Sequence, residues 1–331
     1  MGRRLGIAAA LLAVAALLGA GLAWWGWQRY TGPGPLAQDT AIIVQKGTGM
    51  AAIAAELAED GVVRSPREFL LATRFGETSR PIRAGEYAVP AGLSLRGLVE
   101  LLRSGKTVVR RFTVPEGLTS AQIVELLETE PALTGEVGEA PPDGSLLPET
   151  YHFSYGDSRA ELMGRMRTSM TQALAEAWAA RQPDIPVTTP EQAVTLASIV
   201  EKETAVAAER PRVAGVFVNR LRLGMKLQSD PTVIYALTNG KGPLDRALSR
   251  ADWRFESPYN TYFVDGLPPG PIANPGRESL MAVMKPEKHE FLYFVADGTG
   301  GHAFAVTLDD HNRNVAKWRE IRDGAGEGKR R

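Results

Sequence analysis

Residues 189–204 read TPEQAVTLASIVEKET, a stretch that predicts the central helix of a folded domain. Thr189 is of the type that caps helices, and Pro190 suits the first helical position because its ring holds φ near the helical value. Gln192 stands three residues after the cap, where a capping box places its return hydrogen bond. Apolar residues then recur at helical spacing, at positions 193, 196, 197 and 200. The stretch therefore predicts an amphipathic helix with one buried face.

Two glutamates close this helix. At about 100° per residue, Glu201 and Glu203 fall at opposite margins of the apolar face, and Lys202 points away from it. A glutamate at such a margin is usually solvated, but the rim of an apolar face can also desolvate a carboxyl group and prepare it as a catalytic acid. Spacing alone leaves both interpretations open for both residues.

The residues after this helix predict a second helix and two unusual loops. Pro211 starts an amphipathic pattern that ends at Gly224. Asp230 precedes a proline and is predicted as a helix N-cap, with a substrate contact as the alternative. The loops at 257–262 and 266–272 are rich in proline, and the first also carries tyrosine and asparagine. Amides bind hydroxyl groups and tyrosines cover C–H faces, so these loops suit sugar rings; the alternative is an ordinary turn-rich connection.

The C-terminal part contains a glycine motif that resembles a dinucleotide loop but predicts a hairpin. Residues 298–303 fit the letters of that loop after an apolar strand at 291–296. A Rossmann turn must open a helix, whereas residues 303–308 alternate as a strand does. His302 and His311 lack the i, i+4 pairing of a zinc protease, so we predict hydrogen-bonded structural roles, with single-site roles as the alternative.

Composition excludes several other classes of protein. The 331 residues include no cysteine and four histidines, which excludes disulfides and thiolate metal sites and leaves little for a metal centre. We therefore expect no metal and no cofactor. Thirty-eight basic residues balance 38 acidic ones, so the chain lacks the positive field on which nucleic-acid binding depends. Hydrophobic residues make up 44% of the chain, enough for two domains with cores.

Upstream of the central helix, the sequence predicts a strand, two helices and a returning strand. The first strand lies at 42–45 and the first helix at 50–59. Ser65 caps a second helix that begins at Pro66 and extends to Phe75. The returning strand lies at 85–89.

A strand-turn-helix unit is used three times in this part of the chain. Residues 42–47 lead into apolar positions 53 and 57, and residues 112–117 lead into 123 and 127. A weaker copy, residues 89–92, leads into 98 and 102. Three imperfect copies at unequal spacing do not make a regular solenoid. A plain scaffold and a glycan-binding region remain alternative interpretations.

The N-terminal segment predicts a membrane anchor. Residues 5–27 contain no charge, and a helix of that length reaches roughly 35 Å, enough to cross a hydrocarbon core of about 30 Å. Tryptophans at 24, 25 and 27 with Tyr30 resemble an interfacial belt, while Arg3 and Arg4 favour a cytoplasmic N-terminus. A cleaved signal peptide is the alternative, since residues 21–23 offer small residues at suitable spacing.

Several blocks of this sequence resemble one family, the endolytic murein transglycosylases (MltG or YceG-like). The blocks are 196–204 (LASIVEKET), 219–221 (NRL), 227–233 (LQSDPTV), 259–262 (YNTY), 266–270 (GLPPG) and 292–296 (LYFVA). They follow one another in order within a match that runs from about residue 40 to 318. The resemblance implies an inner-membrane anchor, a LysM-like subdomain and a catalytic domain that cuts nascent peptidoglycan strands.

The resemblance also implies a mechanism with one carboxyl group. Glu201, the first glutamate of its block, is implied to be the catalytic acid and base. The sugar's own 6-hydroxyl then attacks the anomeric carbon of MurNAc and leaves a 1,6-anhydro end, which terminates strand elongation. The remaining candidates bind or orient the saccharide: Glu203, Gln228, Asp230, Asn260 and Tyr262.

The expected fold is α+β, with a transmembrane helix, a small LysM-like βααβ subdomain and a larger mixed catalytic domain. The expected segments are a cytoplasmic N-terminus (1–4), the transmembrane helix (5–27), a linker (28–39), the LysM-like and repeated region (40–140), the catalytic domain (141–325) and a polar tail (326–331). The expected partners are peptidoglycan glycan strands, the cytoplasmic membrane and, as candidates, peptidoglycan synthases, with no nucleic acid. The chain is expected to cross the cytoplasmic (inner) membrane once, with its N-terminus in the cytoplasm and the catalytic domain in the periplasm or outside the cell.

Two rival functions remain. One is a muramidase that uses water, with Glu201 as acid and Glu203 or Asp230 as the second carboxylate. The other is a noncatalytic, membrane-anchored protein in which the LysM-like region binds peptidoglycan and the glutamates are surface residues.

Overall fold

The computed structural model describes residues 2–74 and 80–328. It is mixed α+β and divides into two compact units. Unit 1 comprises Met1–Arg110 with His152–Asp157, and unit 2 comprises Arg111–Tyr151 with Ser158–Arg331. The strand-turn-helix copy at residues 112–127 lies in unit 2. It was predicted to belong to the region 40–140, together with the other two copies.

The secondary structure alternates short strands with helices. The helices are α1 (Gly2–Thr31), α2 (Met50–Glu59), α3 (Pro66–Ala72), α4 (Leu95–Ser104), α5 (Ser120–Thr129), α6 (Arg159–Ala179), α7 (Pro190–Glu203), α8 (Arg210–Arg222), α9 (Asp230–Thr238), α10 (Arg277–Met284) and α11 (Leu308–Gly328). The strands are β1 (Thr40–Val44), β2 (Gly85–Val89), β3 (Arg110–Thr113), β4 (Leu133–Thr134), β5 (Thr150–Phe153), β6 (Asp157–Ser158), β7 (Tyr293–Ala296) and β8 (His302–Ala305). Short 3₁₀ turns lie at Ala207–Glu209 and Asp252–Arg254.

Unit 1 has the predicted strand-helix-helix-strand order. β1 and β2 pair antiparallel, with Thr40 opposite Val89 and Val44 opposite Gly85. Ser65 caps α3 by accepting a hydrogen bond from the Arg67 N–H, as predicted. α3 ends at Ala72, and the predicted end at Phe75 lies outside the described residues. Buried side chains of β1, β2, α2, α3 and α4 form one apolar core.

The three strand-turn-helix copies are confirmed. Each turn contains a glycine with positive φ, 85° at Gly47, 67° at Gly92 and 76° at Gly117, a conformation that side chains with a Cβ rarely adopt. The helix after each turn buries both predicted apolar residues: Ile53 and Leu57, Leu98 and Leu102, and Ile123 and Leu127. The same local device therefore builds α2 and α4 in unit 1 and α5 in unit 2.

Helix α1 fits a single-pass membrane anchor. Its segment Gly6–Thr31 is long and apolar enough to span a membrane, with a mean hydropathy of 2.3, and none of its apolar window is buried within the chain. The helix continues to Thr31, past the predicted end at residue 27. The residues after it are held against unit 1, because the Gly34 N–H donates to the Gly92 carbonyl at 3.1 Å and the Gly92 N–H donates to the Leu36 carbonyl at 2.9 Å.

Helix α7 is the centre of unit 2. The predicted stripe is buried, but Thr195, Ser198 and Ile199 are buried as well, because α6, α8, α9 and α10 all pack against this helix. Thr189 caps it as predicted, by accepting from the Gln192 N–H at 3.3 Å. The Gln192 side chain accepts from the Thr188 N–H instead of the cap residue, so the return contact of the capping box lies one residue earlier than predicted.

The remaining predictions for unit 2 hold with small shifts. α8 begins at Arg210, one residue before Pro211, and ends before Gly224, which has a φ of 67°. The glycine motif is a hairpin, since β7 and β8 pair antiparallel with Ala296 opposite His302. α11 continues to Gly328, into the segment predicted as a polar tail, and residues 329–331 lie outside the described residues.

Candidate active site

Glu201 lies in the interior of unit 2 and not at the margin that the helical pattern predicts. Its side chain is only 3% exposed. One carboxylate oxygen accepts from Arg210 at 3.0 Å, and the other accepts from the Gly276 N–H at 2.8 Å. The expectation of a rim position is therefore wrong, because α8 and the segment before α10 cover this side of α7.

Arg210 binds three carboxylates at once. Its guanidinium contacts Glu116 at 2.7 Å, Glu201 at 3.0 Å and Glu278 at 3.1 Å. The arginine side chain is 7% exposed, so this is a buried cation that needs a nearby negative charge. Among these carboxylates Glu201 is the most buried, at 3% against 40% for Glu116 and 65% for Glu278. Glu201 is thus the most buried of the three counter-ions of Arg210.

Glu203 has a different environment, although it is only two residues away. It faces a cavity of about 370 Å³ within unit 2. The Ser229 hydroxyl donates to its carboxylate at 2.5 Å. The cavity is lined by Glu203, Phe217, Arg220, Leu227, Gln228, Asp230, Tyr262, Tyr293, Phe294, Leu308 and His311. Glu201 is not among these lining residues, so the cavity presents the second glutamate and not the first.

The pKa of Glu203 lies close to neutral pH. Burial raises the pKa of its carboxyl group to about 7, and the nearby Asp230 charge adds to the rise. The Ser229 hydrogen bond and the charges of His302 and Arg220 oppose it. Burial raises the pKa of Glu201 as well, but the Gly276 N–H and the Arg210 cation oppose that rise, and both of its oxygens are already bonded. The pKa values of both carboxyl groups are thus raised, and of the two only Glu203 lines the cavity.

Asp230 lines the same cavity, but the prediction that it caps α9 is wrong by one residue. Ser229 is the N-cap and Asp230 is the first helical residue. Its carboxylate oxygen accepts from the Tyr262 hydroxyl at 2.7 Å and from the Trp253 indole N–H at 3.0 Å. Burial and Asp230 together raise the pKa of the Tyr262 hydroxyl, which keeps it a hydrogen-bond donor.

Gln228 lines the cavity in an unusual backbone conformation. Its φ is 51°, in the left-handed region, and its side chain is exposed. The neighbouring chain is fixed by threonines, since the Ser229 N–H donates to Thr261 at 2.9 Å and the hydroxyls of Thr232 and Thr261 lie 2.8 Å apart. Both threonines are fully buried, so they hold residues 228–230 in place from behind.

Asn260 does not line the cavity, and its role in orienting the saccharide stays a prediction. It is fully buried, and its side-chain amide donates to the carbonyls of Trp253 and Phe255, at 3.1 and 2.8 Å. Its side-chain oxygen accepts from the Tyr262 N–H at 2.9 Å. Asn260 therefore fixes the conformation of the loop that carries Tyr262.

Sequence reasoning did not single out several other side chains of the cavity. Arg220 is buried, donates to the carbonyls of Leu292 and Leu227, at 2.7 and 2.8 Å, and supplies positive charge beside Glu203. The ring of Tyr293 lies under this guanidinium, 5.2 Å away. Arg220 lies in the block 219–221 and Tyr293 in the block 292–296, but no local pattern in these blocks indicates that the two residues line a cavity.

The two histidines have different surroundings. His302 bonds the Glu209 carboxylate through Nδ1 at 2.7 Å, which confirms the predicted structural role. His311 lines the cavity, stacks on Tyr293, and its Nδ1 has no hydrogen-bond partner within the described residues. In residues 2–74 and 80–328 there is no cluster of three or more His, Cys, Asp or Glu side chains suited to a metal ion.

The profile of the YceG-like family matches residues 42–317. The chain belongs to this family. The endolytic murein transglycosylase of Bacillus subtilis is 32% identical over 308 residues, which cover 84% of each protein. That of Streptococcus pneumoniae (strain D39) is 28% identical over 323 residues, and the match covers 83% of this chain and 57% of the longer streptococcal protein.

A solved relative of the YceG-like family has a similar fold. The 2.6 Å crystal structure of a yceG-like protein from Listeria monocytogenes aligns with a TM-score of 0.54 at 28% identity, and the alignment covers 83% of this chain and 98% of that one.

The raised pKa of Glu203 predicts how stability depends on pH. A carboxyl group with a pKa of about 7 in the folded state and 4.5 when unfolded binds more protons in the native state, so stability falls as the pH rises from 4.5 to 7. Across this window the contribution amounts to roughly 3 kcal/mol. Glu203→Gln should remove this contribution and make the dependence less steep, which urea unfolding of both proteins at several pH values measures. Equal slopes in the two proteins would contradict the assignment.

Proposed function

We propose that this protein is an endolytic murein transglycosylase in which Glu203 is the catalytic acid and base. The observation that carries the proposal is a glutamate that faces a cavity and has a pKa of about 7. Relatives named endolytic murein transglycosylase support the choice of substrate and reaction. The proposal moves the catalytic role from Glu201, which the resemblance implied, to Glu203.

The reaction needs an acid that is protonated at neutral pH. A glycosidic oxygen is weakly basic, so it must receive a proton as positive charge develops at the anomeric carbon. A glutamate with an ordinary pKa of about 4.3 is protonated in only about one molecule in 500 at pH 7. A pKa of about 7 leaves about half of the Glu203 carboxyl groups protonated at that pH. A large fraction of the Glu203 carboxyl groups is thus already protonated before any substrate binds.

The same carboxyl group can complete the reaction. Glu203 gives its proton to the oxygen that links MurNAc to GlcNAc, and the bond from the anomeric carbon to that oxygen breaks. The 6-hydroxyl of the MurNAc then forms a bond to the anomeric carbon and returns its proton to Glu203. The products are a free GlcNAc 4-hydroxyl and a 1,6-anhydro-MurNAc end. No water is consumed and the enzyme regains its starting state.

Other residues of the cavity have supporting roles in this proposal. Asp230 carries a negative charge that stabilises the developing oxocarbenium ion, and its hydrogen bond fixes the Tyr262 hydroxyl. Gln228 offers an exposed amide for sugar hydroxyls. Glu201 holds Arg210 and thereby the end of α7, so it acts as a positioning residue.

The two glutamates form a matched pair for testing the catalytic role. Glu203→Gln keeps the shape but cannot donate a proton, so cleavage of glycan strands should fall by about 10² to 10⁴, with the fold intact. Glu201→Gln should reduce cleavage less, because Glu201 does not line the cavity and Arg210 keeps its contact with Glu116 at 2.7 Å. Activity and urea unfolding are measured on both variants. Loss of activity in Glu201→Gln at full stability, with Glu203→Gln active, would return the role to Glu201.

A muramidase that uses water is the second candidate. The observation in its favour is the presence of a second carboxylate, Asp230, on the wall of the same cavity as Glu203. In such an enzyme Glu203 is the acid, and Asp230 activates the water or forms the glycosyl intermediate. The product would have a reducing end.

The mass of the new strand ends separates these candidates. Digestion of purified sacculi should give 1,6-anhydro-MurNAc ends, which are about 18 mass units lighter than reducing ends because no water is added. Ends released from the interior of long strands would mark endolytic cleavage. Reducing ends alone would favour the muramidase, and binding without new ends of either kind would favour the noncatalytic protein.

We also propose that α1 anchors the protein in the cytoplasmic membrane with its N-terminus inside and both units outside. The apolar length of α1 and the arginines at positions 3 and 4 support this orientation. Residues 40–140 would then provide a LysM-like and repeated region, whose β1-α2-α3-β2 order suits binding to peptidoglycan, and residues 141–325 the catalytic domain. Synthases that make the strands are proposed partners.

The proposed orientation predicts the behaviour of reporters fused after residue 331. A reporter that works only outside the cytoplasm should be active, and a reporter that works only in the cytoplasm should be silent. The reverse pattern would rule out action on the cell wall. A mature N-terminus near residue 24 would replace the anchor with a signal peptide and leave the enzyme assignment unchanged.

A further inference from the structure

An aromatic pair lies beside the cavity that contains Glu203. The rings of Trp253 and Tyr262 are stacked, with centroids 5.8 Å apart and planes inclined by 26°. Both donate a hydrogen bond to the same oxygen of Asp230, the indole N–H at 3.0 Å and the phenol at 2.7 Å. We call Trp253 and Tyr262 the aromatic platform. Since Tyr262 and Asp230 line the cavity, the platform continues the cavity wall.

The platform is exposed and yet held in place. Trp253 is 37% exposed, and the same segment carries two more exposed aromatic residues, Phe255 and Phe263, at 41% and 47%. The buried Asn260 binds the backbone carbonyls of Trp253 and Phe255 and accepts from the Tyr262 N–H. A rigidly presented apolar surface of this kind is typical of a binding site and not of a mobile loop.

The size of the cavity indicates what the platform contacts. A cavity of about 370 Å³ lies at the low end of the range for small-molecule sites, so it holds only a short part of a polymer. A glycan strand must therefore continue over the rim. A sugar ring has C–H groups on its face that pack on an aromatic ring, while its hydroxyls bind donors and acceptors at the edge. The platform offers the ring faces, and Asp230 lies at its edge.

We propose that the platform is a saccharide-binding subsite, in which Trp253 stacks on a sugar ring that flanks the bond to be cleaved. The inference rests on the proposed function, since it assumes a glycan strand in the cavity. Trp253 is a substrate-binding residue for the strand outside the cavity. Asn260 is a positioning residue, because it acts through the backbone of the loop and contacts no ligand itself.

The test compares substitutions of Trp253 in the full-length protein in detergent, with soluble uncross-linked glycan strands as substrate. Trp253→Ala removes the stacking surface and should raise KM by about 10-fold with kcat changed by less than about twofold. Trp253→Phe keeps an aromatic face without the indole N–H and should retain a KM within about threefold of the wild type. Leu223→Ala is the control, since Leu223 is 64% exposed and does not belong to the platform.

Binding without chemistry gives a second readout. In the Glu203→Gln background, Trp253→Ala should weaken the Kd for the same strands by a similar factor of about 10. Thermal unfolding of each variant is measured as well, because Trp253 stacks on Tyr262 and bonds Asp230, and the comparison requires variants that stay folded at the assay temperature.

The outcomes keep the two proposals apart. A wild-type protein that makes no new strand ends would refute the proposed function. An active wild type with an unchanged KM in Trp253→Ala would overturn the subsite alone. A fall in kcat at constant KM, or equal losses in Trp253→Ala and Trp253→Phe, would also overturn it, because either result would assign the effect to the hydrogen bond with Asp230 and not to stacking.

Discussion

The architecture of unit 2 depends on one buried cation, the guanidinium of Arg210. It draws together Glu116 after β3, Glu201 at the end of α7 and Glu278 at the start of α10. A buried charge without a counter-ion is very costly, so these segments have to meet at this point. Positions two apart on a helix differ by about 200°, so an inward Glu201 turns Glu203 toward another side. The ion pair between Arg210 and Glu201 therefore fixes the rotation of α7 that turns Glu203 toward the cavity.

Features that depend on local sequence could be predicted. The cap and first turn of α7, the β1-α2-α3-β2 order, the three strand-turn-helix copies and the β7-β8 hairpin all follow from patterns within about 15 residues. Such patterns reflect capping, φ preference and apolar spacing, which depend on residues that are near one another in the sequence. Helix ends were shifted by a few residues where neighbouring segments extend a turn.

The different surroundings of the two glutamates could not be predicted. Their spacing is symmetrical about the apolar stripe, and the difference arises from Arg210, Glu116 and the Gly276 N–H, which are distant in sequence or invisible to a helical wheel. The family resemblance implied Glu201, and nothing in the local sequence of the block distinguishes the surroundings of its two acids. The same applies to Asn260, because the sequence does not distinguish a loop amide that binds a ligand from one that binds the backbone of its own loop.

The attachment of the segment after α1 has a mechanical consequence. Gly34 and Leu36 are hydrogen-bonded to Gly92, and a Cβ at Gly34 would lie 2.2 Å from the Leu93 carbonyl, so this stretch is packed and not a free tether. Helix α1 is therefore joined to the rest of unit 1 by a short, hydrogen-bonded segment. With α1 in a membrane, as proposed above, unit 1 is held within a few residues of the bilayer surface and does not reach the wider volume that a flexible linker would allow.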